Sequence, residues 1–198
     1  MGMFQKLEIN VGNFPGGIYV HYDYQGHINS VQLFHENLQK EIKGVDFTKM
    51  KQMTMVYDDP FNLIDARSYR ASIGFLLDQY DRETIAKFEK LGYQTTVLKE
   101  SNSMYGSFPY RNKSSLAFGA TRFLPSCLQY LLRNERSMKE VMKNMDQTTG
   151  TIEIIDGKTI RYYLPVEHQQ DFYLTTKEQP PAKKPNKYTN LYYKNKNA

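Results

Sequence analysis

The chain has one cysteine, Cys127, and no tryptophan in its 198 residues. A single thiol excludes an internal disulfide and any zinc site built from paired cysteines. Cys127 falls in a helical apolar pattern, where it reads as a small buried hydrophobe, and its lone use suits a reducing compartment. The four histidines, at 21, 27, 35 and 168, show no ligand spacing, so no metal is expected. There is no apolar run of about 18 residues, so no membrane-spanning helix is predicted and a cytoplasmic setting is expected. The opening MGMFQKLEIN lacks a signal-peptide core, and Lys6 stands where a myristoylation signal wants Ser or Thr. A glycine-rich phosphate loop, a nucleophile elbow and a kinase signature are also missing. No cofactor is therefore expected, and catalysis is not the first reading.

Surplus charge is missing from most of the chain. The formal net charge is +5, and residues 175–198 carry all of it, as six Lys against Glu178. The neutral body excludes a uniformly basic nucleic-acid surface. The stretch TTKEQPPAKKPNKYTNLYYKNKNA also holds three Pro and no apolar period before Tyr188. It is predicted to be a loose basic tail, 175–198, following one domain of residues 1–174. Its lysines suit an anionic membrane surface, or simple solvation.

What is present is aromatic: 16 Tyr and 11 Phe. Such rings are half-buried with polar tips, or line a pocket. Leu7–Gly17 reads as a lead-in strand and a Pro-Gly turn, and IYVHYDY (18–24) as a strand. Ile28, Val31, Phe34, Leu38 and Ile42 then mark one helix face, with Asn29 or Ser30 as cap and Gly44 as stop. Strands follow at 53–57 and 67–77, a short helix capped by Asp81, and a strand at 93–98. The Asp58-Asp59-Pro60 loop reads as turn chemistry, with each carboxylate bonding local backbone. A strand at 103–110 leads into a helix from Ser114 or Ser115 to about residue 133, which Pro125 should break, kink or restart. Residues 137–145 are expected to add a helical turn or two.

These elements form two similar halves, roughly 15–80 and 93–174, each strand-helix-strand-strand. Each unit alone would expose a sheet face. The expected fold is α+β: two β-α-β-β units sharing an antiparallel sheet, both helices on one face, and a groove between the halves. Pockets favour such junctions.

The sharpest local signal is TTGTIEIIDGKTIRYYLP (148–165), two β-rich runs around Asp156-Gly157. A turn at those two residues sets Glu153 opposite Ile160. Glu153 then shares a face with Ile155, Ile160, Tyr162 and Leu164. One residue of slip would flip it to the other face. A carboxylate among apolar neighbours is either the floor of a pocket or a satisfied structural group, bonded to a Tyr or paired with Arg161 or Lys158. Tyr19, His21, Tyr57, Tyr110 and Tyr162 are the accompanying candidates for a ligand site.

Three of these stretches, Tyr19–Gly26, MTMVYDDP (53–60) and TIEII (151–155), resemble motifs of the GyrI-like family. Ile155 stands where that family usually has Tyr. RSYRASIGFLL (67–77), FEKLGYQTTVL (88–98), FPY (108–110), ATR (120–122) and LPVEHQQDFYL (164–174) follow in an order similar to its eukaryotic testis-expressed protein 264 branch, over residues 15–174. The resemblance implies a ligand- or protein-binding module with Glu153 as a ligand-contacting acid for a small hydrophobic or cationic aromatic molecule. The alternative it implies is a small-molecule hydrolase using Glu153. The branch further implies a role at the endoplasmic reticulum surface in autophagy. There an aromatic-x-x-aliphatic motif, here Tyr188 to Leu191, would engage a ubiquitin-like protein. The acidic surroundings such motifs favour are replaced here by lysines.

Overall fold

The computed structural model describes residues 7–59, 63–134 and 150–178. Its elements in order are β1 (Asn10–Phe14), β2 (Gly17–Gly26), α1 (Ser30–Glu41), β3 (Met50–Val56), β4 (Tyr69–Leu77), α2 (Arg82–Glu89), β5 (Gln94–Leu98), β6 (Ser101–Pro109), α3 (Lys113–Arg133), β7 (Thr151–Asp156) and β8 (Thr159–Pro165). A 3-10 turn, Gln169–Phe172, follows. The tail, with Tyr188, Leu191 and most of its lysines, lies outside the described residues, as do the turns expected at 137–145.

All described strands join one antiparallel sheet in the order β1-β6-β8-β7-β3-β4-β2-β5. The order is symmetric about the β7–β3 pair. Each half contributes three consecutive strands, β2-β4-β3 or β6-β8-β7, and an edge strand supplied by β5 or β1. This is the expected pair of β-α-β-β units.

Alternation sorts the side chains. One face carries Val20, Phe75 and Leu77 against Leu38 of α1 and Phe88 of α2. Its other half carries Phe108, Ile160 and Leu164 against Phe123, Cys127 and Leu131 of α3. All three described helices therefore cover this face. The opposite face buries Phe14, Tyr19, Met53, Ile154 and Tyr163 beneath Phe172. Because both faces are covered, β4 is buried at all nine positions.

Helix ends follow local chemistry. Asp81 accepts the amides of Glu83 and Thr84, and Asn112 with Ser115 closes a capping box on α3. Pro125 does not end α3, which runs continuously to Arg133. A proline there removes one helical hydrogen bond. Pro125 and Thr121, whose carbonyl loses that bond, are both exposed to water, while Phe123, Cys127 and Leu131 hold both segments on one core.

Two loop expectations are corrected. Among the described residues, Asp58 bonds a distant arginine and no local turn backbone. It is buried with Arg70, 12 residues on, accepting hydrogen bonds from the backbone amide, Nε and Nη2 of Arg70, the last at 2.7 Å. Arg70 also donates from Nη1 to Tyr173 Oη and to the Lys177 carbonyl. The start of the tail is likewise docked. Asp23 accepts from Thr175 Oγ1 and from the amide and hydroxyl of Thr176. Residues 173–177 thus form a strap along one edge of the domain, held by two buried or half-buried charges. No helix among the described residues is long and apolar enough to cross a membrane.

Candidate functional site

The β7–β8 turn is Gly157-Lys158, one residue later than the Asp-Gly reading, because Asp156 pairs with Thr159. Gly157 has φ 59°, in keeping with the glycine wanted first in a type II′ turn. Glu153 therefore faces Tyr162, and Ile155 faces Ile160. The register differs from the expected one by two residues, an even number, so Glu153 keeps the predicted face. Arg161 pairs instead with Asp156 at 3.3 Å.

On its other side Glu153 faces Thr54 of β3, at the middle of the ladder that joins the halves. Above this row, α1 and α3 stand apart and leave a groove of about 550 Å³. Ile28, Val31 and Gln32 form one wall, and Leu116, Ala117, Phe118 and Ala120 the other. The floor is Thr54, Val56, Tyr69 and Glu153. At the rim, Lys113 crosses from α3 to Glu36 of α1, with Nζ 2.7 Å from the carboxylate. The ammonium lining this groove is thereby already neutralised.

Glu153 makes no hydrogen bond or ion pair among the described residues. Glu153 is half-buried and lines the groove, with Thr54, Tyr69 and Tyr162 as its neighbours on the sheet. Burial raises its pKa from 4.5 to about 8. Tyr69 is also on the floor and is only 4% exposed. Its hydroxyl has no hydrogen-bond partner among the described residues. Burial first, and then the nearby Glu153 carboxyl, raise the phenol's pKa.

The groove depends on what lies beneath it. Tyr162 is buried, stacks on Phe123, and donates from Oη to the Leu116 carbonyl at 3.1 Å. A Cβ on Gly119 would lie 2.2 Å from that hydroxyl oxygen, so glycine here lets α3 settle on the ring. Behind Thr54, His35 of α1 is buried, with Nε2 3.4 Å from Thr54 Oγ1. Burial lowers the His35 pKa to about 4, so the imidazole is neutral at ordinary pH.

The other predicted site residues go elsewhere. Tyr162 adjoins Glu153, but its hydroxyl is committed to α3. Tyr110 packs at the edge of the α3 core. Tyr19, His21 and Tyr57 lie on the opposite sheet face. Tyr19 donates to the Ser72 carbonyl at 2.6 Å and stacks on His21, whose Nε2 meets Thr96 Oγ1 at 2.9 Å. Tyr57 bonds Ser72 Oγ and accepts the Leu174 amide of the strap. They form the packed underside of the sheet, whereas Tyr69, absent from the predicted set, is at the floor of the groove. No metal-binding cluster exists among the described residues.

No protein-family profile matches the chain, and no curated protein is similar to it in sequence. Similarity appears in solved structures. The C-terminal domain of EcmrR superposes with a TM-score of 0.51 at 11% identity, covering 81% of this chain and 98% of that domain. EcmrR in its DNA complex gives a TM-score of 0.52 at 12% identity, covering 80% of this chain and 57% of that longer one. The chain thus spans little more than half the length of that EcmrR chain. At such identities the likeness is one of fold, which is α+β and GyrI-like.

Proposed function

We propose that this domain is a ligand-binding module whose groove takes a small cationic aromatic molecule, with Glu153 as its counter-ion. The observation that carries this reading is a carboxyl with no partner among the described residues on the floor of a mainly apolar groove. A carboxylate held there has lost water and gained nothing in exchange. A cation restores the missing charge, while the walls cover its aromatic body. The volume falls within the roughly 300–1,000 Å³ usual for small-molecule sites. The resemblance to GyrI-like proteins, which implies a ligand-contacting acid at this position, supports the same reading. The narrower likeness to the autophagy-receptor branch rests on the ordered motifs of residues 15–174. In that reading the tail from Tyr188 to Leu191 recruits a partner while the groove is a separate site.

The test is calorimetric titration of residues 1–178 with naphthylmethyl-trimethylammonium, a cation whose charge does not vary with pH. At neutral pH the Glu153 carboxyl holds a proton that the cation must displace. Affinity should therefore rise about tenfold between pH 7 and pH 9. Glu153→Gln should bind weakly at both pH values. Equal binding by wild type and variant would refute the counter-ion role.

A further inference from the structure

Resting on the cation-site reading, we infer that the groove selects ammonium ions that still carry N–H groups, primary or secondary amines, over quaternary ones, and that Tyr69 is the residue that sets this preference. The floor offers a set of oxygens, not a bare charge. Glu153 supplies a carboxyl without a partner among the described residues. Tyr69 lines the same groove and supplies a hydroxyl that bonds nothing among the described residues and is close enough to feel the Glu153 carboxyl. Thr54 supplies a third oxygen, directly across the ladder from Glu153. A hydroxyl has one donor and two acceptor positions. His35 uses one of them, whichever way its hydrogen bond to Thr54 runs, so at least one acceptor position remains.

A primary ammonium has three N–H donors and no acceptor, which matches a floor of three oxygens. A trimethylammonium would bring methyl groups against them, leaving the Tyr69 hydroxyl unpaired and Thr54 with only its bond to His35. Quaternary ions are instead recognised by cages of aromatic faces. Here the aromatic lining is Tyr69 and Phe118, too few rings for a cage, and the remaining walls are aliphatic or polar. Hydration argues the other way, because a compact ammonium holds its water strongly. A groove offering only apolar walls and one charge would therefore favour the quaternary ion. The order of affinities separates the two cases.

The experiment compares naphthylmethylammonium with its N,N,N-trimethyl derivative at pH 7.5 in wild type, Tyr69→Phe and Glu153→Gln. Melting temperatures show that each variant is folded. Tyr69→Phe removes a hydroxyl that bonds nothing among the described residues, so its fold should persist. We expect the primary ion to bind wild type at least tenfold more tightly. Tyr69→Phe should weaken the primary ion about fivefold or more and shrink its advantage below threefold. Equal or tighter binding of the trimethyl ion to wild type overturns the inference while leaving the cation site standing. So does an unchanged ratio in Tyr69→Phe. Failure of both ions to bind wild type overturns the cation site itself, and this inference with it.

Discussion

Replacing Glu153 with Gln should make the protein more stable, and increasingly so as pH rises. The carboxyl goes from an ordinary 4.5 to about 8 on folding. Each unit corresponds to about 1.4 kcal/mol. Below pH 4.5 the group is neutral in both folded and unfolded chains and has no effect. As pH climbs toward 8 the unfolded chain ionises first, so stability is lost. Above pH 8 the loss is complete, on the order of 4–5 kcal/mol if the carboxyl were fully sealed. Over the window from pH 6 to pH 9 this corresponds to about 2.5 kcal/mol, trimmed to ~2 kcal/mol by the water that reaches the groove. Gln has the same shape and no such titration. Urea unfolding of both proteins at pH 6 and pH 9 isolates the effect, since all other titrating groups cancel in the difference. The advantage of the variant should grow by ~2 kcal/mol between the two conditions. A difference constant to within about 0.5 kcal/mol, or a variant weaker than wild type at pH 9, would refute the account of Glu153 as an unpaired acid.

Three other outcomes follow from the same geometry. His35 has a folded pKa of about 4, below the ordinary 6.5; its contribution is intact above pH 6.5 and lost as pH falls through 4, up to about 3 kcal/mol, and His35→Leu should show a flatter acid-unfolding profile. Asp58→Ala strands the Arg70 guanidinium in the interior and should cost about 3–5 kcal/mol in denaturant unfolding, with residues 173–177 becoming newly open to protease. Gly119→Ala gains roughly 1 kcal/mol of helix propensity but forces a methyl onto Tyr162, so a lowered melting temperature is expected where propensity alone predicts a higher one.

The hairpin, the two-fold element order and the placement of Glu153 were all legible in the sequence, because each rests on local pattern. Parity protected Glu153: the turn sits one residue late, yet a shift of two in register returns every side chain to the same face. The aromatic candidates had no such protection. Tyr19, Val20 and His21 are consecutive and all buried, so alternation along β2 carries no sign of which residue faces the helices. Tyr69 was hidden for a related reason. It opens a strand buried at every position, and its proximity to Glu153 arises only once β4, β3 and β7 are paired. The Asp58–Arg70 pair does leave a trace in the sequence: an arginine inside YRASIGFLL requires a buried carboxylate.

The seam where Thr54 meets Glu153 has one more consequence. It lies at the centre of the pseudo-two-fold arrangement, so each residue occupies the other's place in its own half. Two identical subunits assembled the same way would have to put one residue type at both positions. Two glutamates would confront each other across the ladder and repel, and two threonines would leave the floor without charge. Joining the halves in a single chain releases them from that identity, so a lone acid can stand on the axis with a neutral hydroxyl opposite.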